Sequence, residues 1–233
     1  MIYEILTVMR KELRELFGDP YARRGALVQA SVLVVALGIL LPWSSPGAWI
    51  AADPKAVLFF LLFPGMVSST VAADGFAGEQ ERKTLETLLA TPLSDRGILF
   101  GKAAAAFVMG AGMGIVGFIA AVVSVSVAGA GAFIPAPVVV LGALFGAAAS
   151  AAVLTAISIL VSLRIPVARS AQQTTSILAG LVFAGVSMTW SSLGLVLTWR
   201  SLVATELTLA VLALLLLELA RARFRRERFF DRR

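Results

Sequence analysis

The chain has 233 residues, 59% hydrophobic and 15% charged, with a mean hydropathy of +0.91 and a formal net charge of +6. One soluble core of this length cannot bury so much apolar surface, so the excess must face lipid and a water-soluble globular protein is excluded. Cysteine and histidine are both absent, which removes disulfides, thiolate chemistry, and the commonest general base and transition-metal ligand.

At the start of the chain, Ile2, Ile5, Leu6, Met9, Leu13, Leu16 and Phe17 recur at three- and four-residue intervals, with Arg10, Lys11, Glu12, Arg14 and Glu15 on the other face. The spacing predicts an N-terminal amphipathic interfacial helix over residues 1–20, ended by Gly18-Asp19-Pro20. No short hydrophobic region with a small-residue cleavage site is apparent, so the first span is expected to serve as the targeting signal.

A helical span needs about 20 apolar residues. Uncharged runs cover residues 25–52, 56–73, 103–163 and 170–199. The longest of these must reverse, and Gly129-Ala130-Gly131-Ala132-Phe133-Ile134-Pro135-Ala136-Pro137 supplies the helix breakers. With a weaker run from Leu202 to Leu217, six transmembrane helices are predicted near residues 24–43, 56–73, 103–128, 138–163, 171–190 and 202–220. Together they form a transmembrane domain over residues 21–220, followed by a basic tail at 221–233. The fold class is all-α, a polytopic membrane protein, because barrel strands would alternate apolar and polar residues.

Placing both termini in the cytoplasm leaves only Lys55 and Arg200, of 20 basic residues, on the far side. That is the positive-inside pattern, and it points to a multi-pass protein of the cell inner (cytoplasmic) membrane. The same topology accounts for the basic charge through anionic headgroups rather than nucleic acid. Pro64-Gly65 marks a candidate kink in the second span.

Between the second and third spans lies Gly78-Glu79-Gln80-Glu81-Arg82-Lys83-Thr84-Leu85-Glu86-Thr87-Leu88-Leu89-Ala90-Thr91-Pro92-Leu93-Ser94. Leu85, Leu88, Leu89 and Pro92 share one helical face, while Glu79–Lys83 and Arg82–Glu86 are i,i+4 pairs. A short two-faced helix is predicted, stopped by Pro92, with Ser94 and Asp95 capping the next span. From residue pattern alone this is either a solvated connecting loop or a docking surface for a soluble partner.

The order Gly-Glu-x-Glu-Arg-x-Thr-Leu-Glu-x-Leu-Leu-x-Thr-Pro-x-Ser, followed by Gly101-Lys102, is similar to the cytoplasmic loop of type-2 ABC exporter permeases (type V fold). The likeness is specific over about residues 74–102, and elsewhere it is one of hydropathy. The resemblance implies a coupling loop at 74–102, with Glu79, Glu81, Arg82, Thr84, Leu85, Glu86 and Leu89 meeting an ATPase subunit. It also implies that the first helix acts as a connecting helix beside that surface. No Gly-x4-Gly-Lys-Ser/Thr phosphate loop is present, so ATP and Mg are expected in a partner ATPase subunit and no cofactor in this chain. A second permease subunit, as homodimer or heterodimer, completes the expected complex.

Gly110, Gly114, Gly117, Gly142, Gly146 and Gly180 read as close-packing positions. Ser124, Ser126, Thr155, Ser158 and Ser162 are open between pathway lining and bonding to their own helices. Glu206, an acid near the outer end of the last span, is a candidate pathway or outer-interface residue. The family's re-entrant helices between its last two spans imply a reduced element at Trp190–Ala204. Glu218 is expected to be solvated or paired with Arg221. No catalytic or metal-binding set is identified. The sequence thus points to a permease subunit of an ATP-driven exporter. The alternatives are a haem-export component of the cytochrome c maturation type, a membrane scaffold, and an intramembrane enzyme. The last lacks paired acids, histidine and cysteine.

Overall fold

A computed structural model of the chain describes residues 1–18, 28, 31–32, 34–61, 63–84, 92–192 and 198–224. Every long element is a helix: α1 (Ile2–Gly18), α2 (Val34–Ser44), α3 (Pro46–Ile50), α4 (Ala56–Glu81), α5 (Asp95–Ala128), α6 (Pro137–Ser162), α7 (Ala168–Ser192) and α8 (Trp199–Arg223). Four of them, α4, α5, α6 and α8, are long and apolar enough to cross a membrane.

The remaining two expected spans differ in kind. The first, near residues 24–43, is described in part: residues 24–27, 29–30 and 33 lie outside the described residues, and α2 covers its second half. The fifth corresponds to α7, which has the length of a span at 25 residues. Its first half carries Gln172, Gln173, Thr174, Thr175 and Ser176, and these dilute its apolar character.

Two helix boundaries correct the reading from uncharged runs. The second span continues as helix through Asp74 and on to Glu81, and the helix of the third begins at Asp95, where the Ser94-Asp95 cap predicts it and ahead of the uncharged run that starts at 103. Charged residues end an apolar run, but they do not end a helix whose side chains find partners. Here Asp74 meets Arg82 at 3.2 Å and Glu79 meets Lys102 at 2.8 Å. The segment between these helices is therefore residues 82–94, of which 85–91 lie outside the described residues. At its far end Ser94 caps α5 as expected, accepting from Gly97 N at 3.0 Å.

The core is built on α4 and α6. Of their most apolar windows 69% and 72% is buried, against 28% for α5 and α8, which turn more surface outward. Their approach depends on missing side chains. A Cβ on Gly65 of α4 would lie 2.6 Å from Ser150 O, and one on Gly110 of α5 would lie 2.7 Å from Pro64 O. Between membrane helices, where burial from water contributes little, close van der Waals approach of this kind supplies much of the association.

Hydroxyls then stitch the helices: Ser68 Oγ donates to Ala151 O at 3.0 Å, Ser158 Oγ to Ser69 O at 2.8 Å and Ser124 Oγ to Ile39 O at 2.8 Å. Ser126 instead bonds back to Val122 O in its own helix. The expected close-packing role fits Gly110, Gly114, Gly142 and Gly146, whereas a Cβ at Gly180 would meet open space.

One end of the bundle gathers α1, the end of α4, the start of α5, the end of α6, the start of α7 and the end of α8. Phe224, expected in the surface tail, is 3% exposed and stands edge-on to Phe76 with ring centroids 6.1 Å apart. Glu218 pairs with Arg221 at 3.0 Å, as expected.

Candidate functional site: the polar junction of α1, α4 and α5

The first helix docks on the start of α5 across two glycines one turn apart. A Cβ on Gly101 would lie 2.5 Å from Val8 Cβ, and one on Gly97 would lie 2.9 Å from Glu4 Cβ. The face turned to α5 is therefore Glu4, Val8 and Glu12, with Val8 1% and Glu12 8% exposed. This corrects the placing of Glu12 on an outward polar face. Ile2, Leu6 and Phe17, from the predicted apolar stripe, are 74%, 41% and 53% exposed.

Behind Gly101, Lys102 enters the bundle and is 3% exposed. Its Nζ lies 2.7 Å from Glu12 Oε1 and 2.8 Å from Glu79 Oε1, and 5.8 Å from the centre of the Phe76 ring. Lys11 Nζ closes the cluster from outside, 3.3 Å from both Glu12 and Glu79 and 3.2 Å from Glu15. Burial, the largest single influence on Lys11, pushes its ammonium pKa down, but Glu12, Glu79 and Glu15 together outweigh it and the net shift is upward. A raised lysine contributes stability that is complete below the ordinary lysine pKa of about 10.4 and is lost only as pH climbs through the raised value.

At the helix start, the Ser94 hydroxyl donates to Glu4 Oε2 at 2.7 Å and thereby holds the Glu4 carboxyl below the usual glutamate range. Oxygens of Glu12, Glu15 and Glu79 lie within 4.8 Å of one another. That spacing would suit a cation, but the ammonium groups of Lys11 and Lys102 already sit among these oxygens.

The expected contact residues separate into two sets. Glu79 is 6% exposed and faces inward, and its Oε2 has no hydrogen-bond partner among the described residues. Glu81, Arg82 and Thr84 are exposed. Leu85, Glu86 and Leu89 lie outside the described residues. The predicted two-faced helix does not run through the start of this stretch, because helix stops at Glu81 and Lys83 adopts φ 58°. Thr84 N then donates to Glu79 O at 2.9 Å, turning the chain away from α4.

Three consecutive residues at the end of α4 reach four other helices. Glu79 meets Lys11 of α1 and Lys102 of α5. Gln80 Nε2 donates to Ser162 O at 3.1 Å, at the end of α6. Glu81 Oε2 accepts from Ala168 N at 3.1 Å, at the start of α7, where a carboxylate complements the helix dipole. Sequence reading missed Glu12, Gln80 and Lys102 as partners of this cluster. The available signal was Lys102 itself, a lone cation at the lip of a long apolar run.

Glu206 sits apart, 6% exposed on α8, with Oε1 lacking a hydrogen-bond partner among the described residues. The re-entrant element expected at Trp190–Ala204 gives way to the long helices, since 190–192 belong to α7 and 199–204 to α8. Residues 193–197 lie outside the described residues. Thr155 Oγ1 and Ser162 Oγ, also buried, have no partner among the described residues.

A family model described as ABC-2 family transporter protein matches residues 11–199. No curated protein matches the chain.

Proposed function

The chain belongs to the ABC-2 family of transporter proteins, and from that premise we propose that it is the membrane permease subunit of an ATP-driven exporter in the cytoplasmic membrane. A separate nucleotide-binding subunit holds ATP and Mg and docks on residues 82–94, with both chain termini on its side of the membrane. Two permease chains and two ATPases form the working complex, and all six predicted spans contribute to each half of the path.

The observation that carries this reading is the fan of contacts from Glu79, Gln80 and Glu81 to α1, α5, α6 and α7. A push on the segment at 82–94 reaches four helices through three adjacent side chains, of which Glu81 alone also faces the partner. Coupling requires the ATPase to bind one arrangement of these helices better than the other. The exposed residues Glu81, Arg82 and Thr84, with Leu85, Glu86 and Leu89 beyond them, form the contact, and Glu79 transmits from behind it.

Charge reversal at Arg82→Glu with Glu86→Lys tests the assignment in vesicles that hold the permease and its ATPase. Permease-stimulated ATP hydrolysis is expected to vanish, with membrane insertion and yield unchanged. Stimulation equal to wild type would refute a coupling role for the loop. Co-purification of an ATPase without any stimulation would favour a scaffold.

A further inference from the structure

Between α6 and α8 runs an apolar groove of about 560 Å³. Its walls include Gly142 and Phe145 of α6 and Trp199, Leu207 and Ala210 of α8, and Glu206 is its one charged residue among the described lining. Along α8 the lining extends from Trp199 to Leu217, which at 1.5 Å per residue is about 27 Å. The rim is open, since Phe145 and Leu207 are each 62% exposed.

Small residues on α6 shape the inner wall. A Cβ on Gly142 would lie 2.7 Å from Trp199 Cζ3, and one on Gly146 would lie 3.3 Å from Glu206 Oε1. Trp199 is held in place by its indole, which donates to Ala52 O at 3.0 Å. The wall therefore makes room for the Glu206 carboxylate and offers Oε1 no donor.

A carboxylate at such depth in an apolar surround is costly, and acids in membrane helices mark ligand or ion pathways for that reason. A hydrocarbon alone fits the walls but leaves the charge unanswered. An anionic amphiphile is repelled, and a small hydrophilic cation gains nothing from a long apolar trough. We propose that this groove is a binding site for a lipophilic ammonium, an elongated amphiphile whose N–H donates to Glu206 and whose hydrocarbon lies along α8. The carboxylate supplies charge complementarity and the groove supplies length. Binding needs no ATPase, so this site and the coupling assignment stand or fall separately.

Trp199 provides a reporter. Purified chain in phosphatidylcholine nanodiscs is titrated with 12-bromododecylammonium and, in parallel, with neutral 12-bromododecanol, reading bromine quenching of the tryptophan signal that disappears in Trp199→Phe. Glu206→Gln is expected to need about tenfold more ammonium for half-quenching, the loss of one charge-assisted hydrogen bond, with its alcohol curve unchanged. Ala210→Phe, which fills the trough, is expected to weaken both probes.

Equal ammonium curves in wild type and Glu206→Gln would overturn the proposal, as would a parallel loss of both probes in that variant. Quenching that persists in Trp199→Phe would place the probes elsewhere. Because the chain has no cysteine, Leu207→Cys carries a unique thiol. Disulfide formation between two copies at that position would mean that a second copy covers the groove, which also overturns the assignment.

Discussion

Two buried carboxylates in this chain, Glu79 and Glu206, are each 6% exposed and have opposite surroundings. Glu79 shares Lys102 with Glu12 and has Lys11 at the outer edge. Glu206 faces apolar walls and no cation among the described residues. A buried acid with matched cations holds helices in register, whereas one left unmatched is free to answer a charge that arrives from outside. The same residue type thus serves assembly at one end of the bundle and recognition along its flank.

The largest expected effect breaks the comparison at Lys102. Lys102→Met leaves Glu12 and Glu79 facing each other without their innermost cation, at a cost of about 3–5 kcal/mol, read as a lowered thermal midpoint in detergent. Glu206→Gln, which removes an unmatched charge, is expected to leave that midpoint unchanged or raise it. A fall of similar size in both variants would erase the distinction.

Next in size is the α4–α6 crossing. Gly65→Ala sets a methyl 2.6 Å from a backbone oxygen, which α6 must move to relieve, and overpacking of this kind costs about 1–3 kcal/mol. The thermal midpoint checks it, with Gly180→Ala as the nearly silent counterpart because open space surrounds that position. Ser158→Ala removes the hydroxyl bond to Ser69 O and is expected to cost about 0.6 kcal/mol, the average for such bonds between membrane helices. Equilibrium unfolding in mixed micelles resolves a change of that size.

The smallest effect concerns Glu4, which is half-buried and bonded to Ser94. Its lowered pKa gives a contribution that is present above the ordinary glutamate value of about 4.3 and lost as pH falls through the lowered one. In Glu4→Gln, release of α1 on acidification, followed by a fluorophore at residue 3, should lose its acid-side step.

Much of this was legible in the sequence, and the failures share one cause. Membrane character and helical class follow from composition, and the Ser94 cap follows from local spacing. Uncharged runs stopped short of the facing ends of α4 and α5 because Asp74, Glu79 and Lys102 interrupt a hydropathy count, although Asp74 pairs with Arg82 and Glu79 with Lys102. Glu12 and Lys102 are 90 residues apart, a separation that no periodicity reveals. Glu12 was read outward for the same reason, since a helix wheel shows which residues share a face but not which face finds a neighbour. The family's re-entrant element was carried over by resemblance, and the described ends of α7 and α8 take most of its residues.

Successive positions on a helix point about 100° apart, so Glu79, Gln80 and Glu81 aim three ways only while their numbering relative to α4 is kept. Inserting or deleting one residue before them would swing each side chain toward the wrong neighbour. The count of residues along α4 is therefore fixed by three contacts at once.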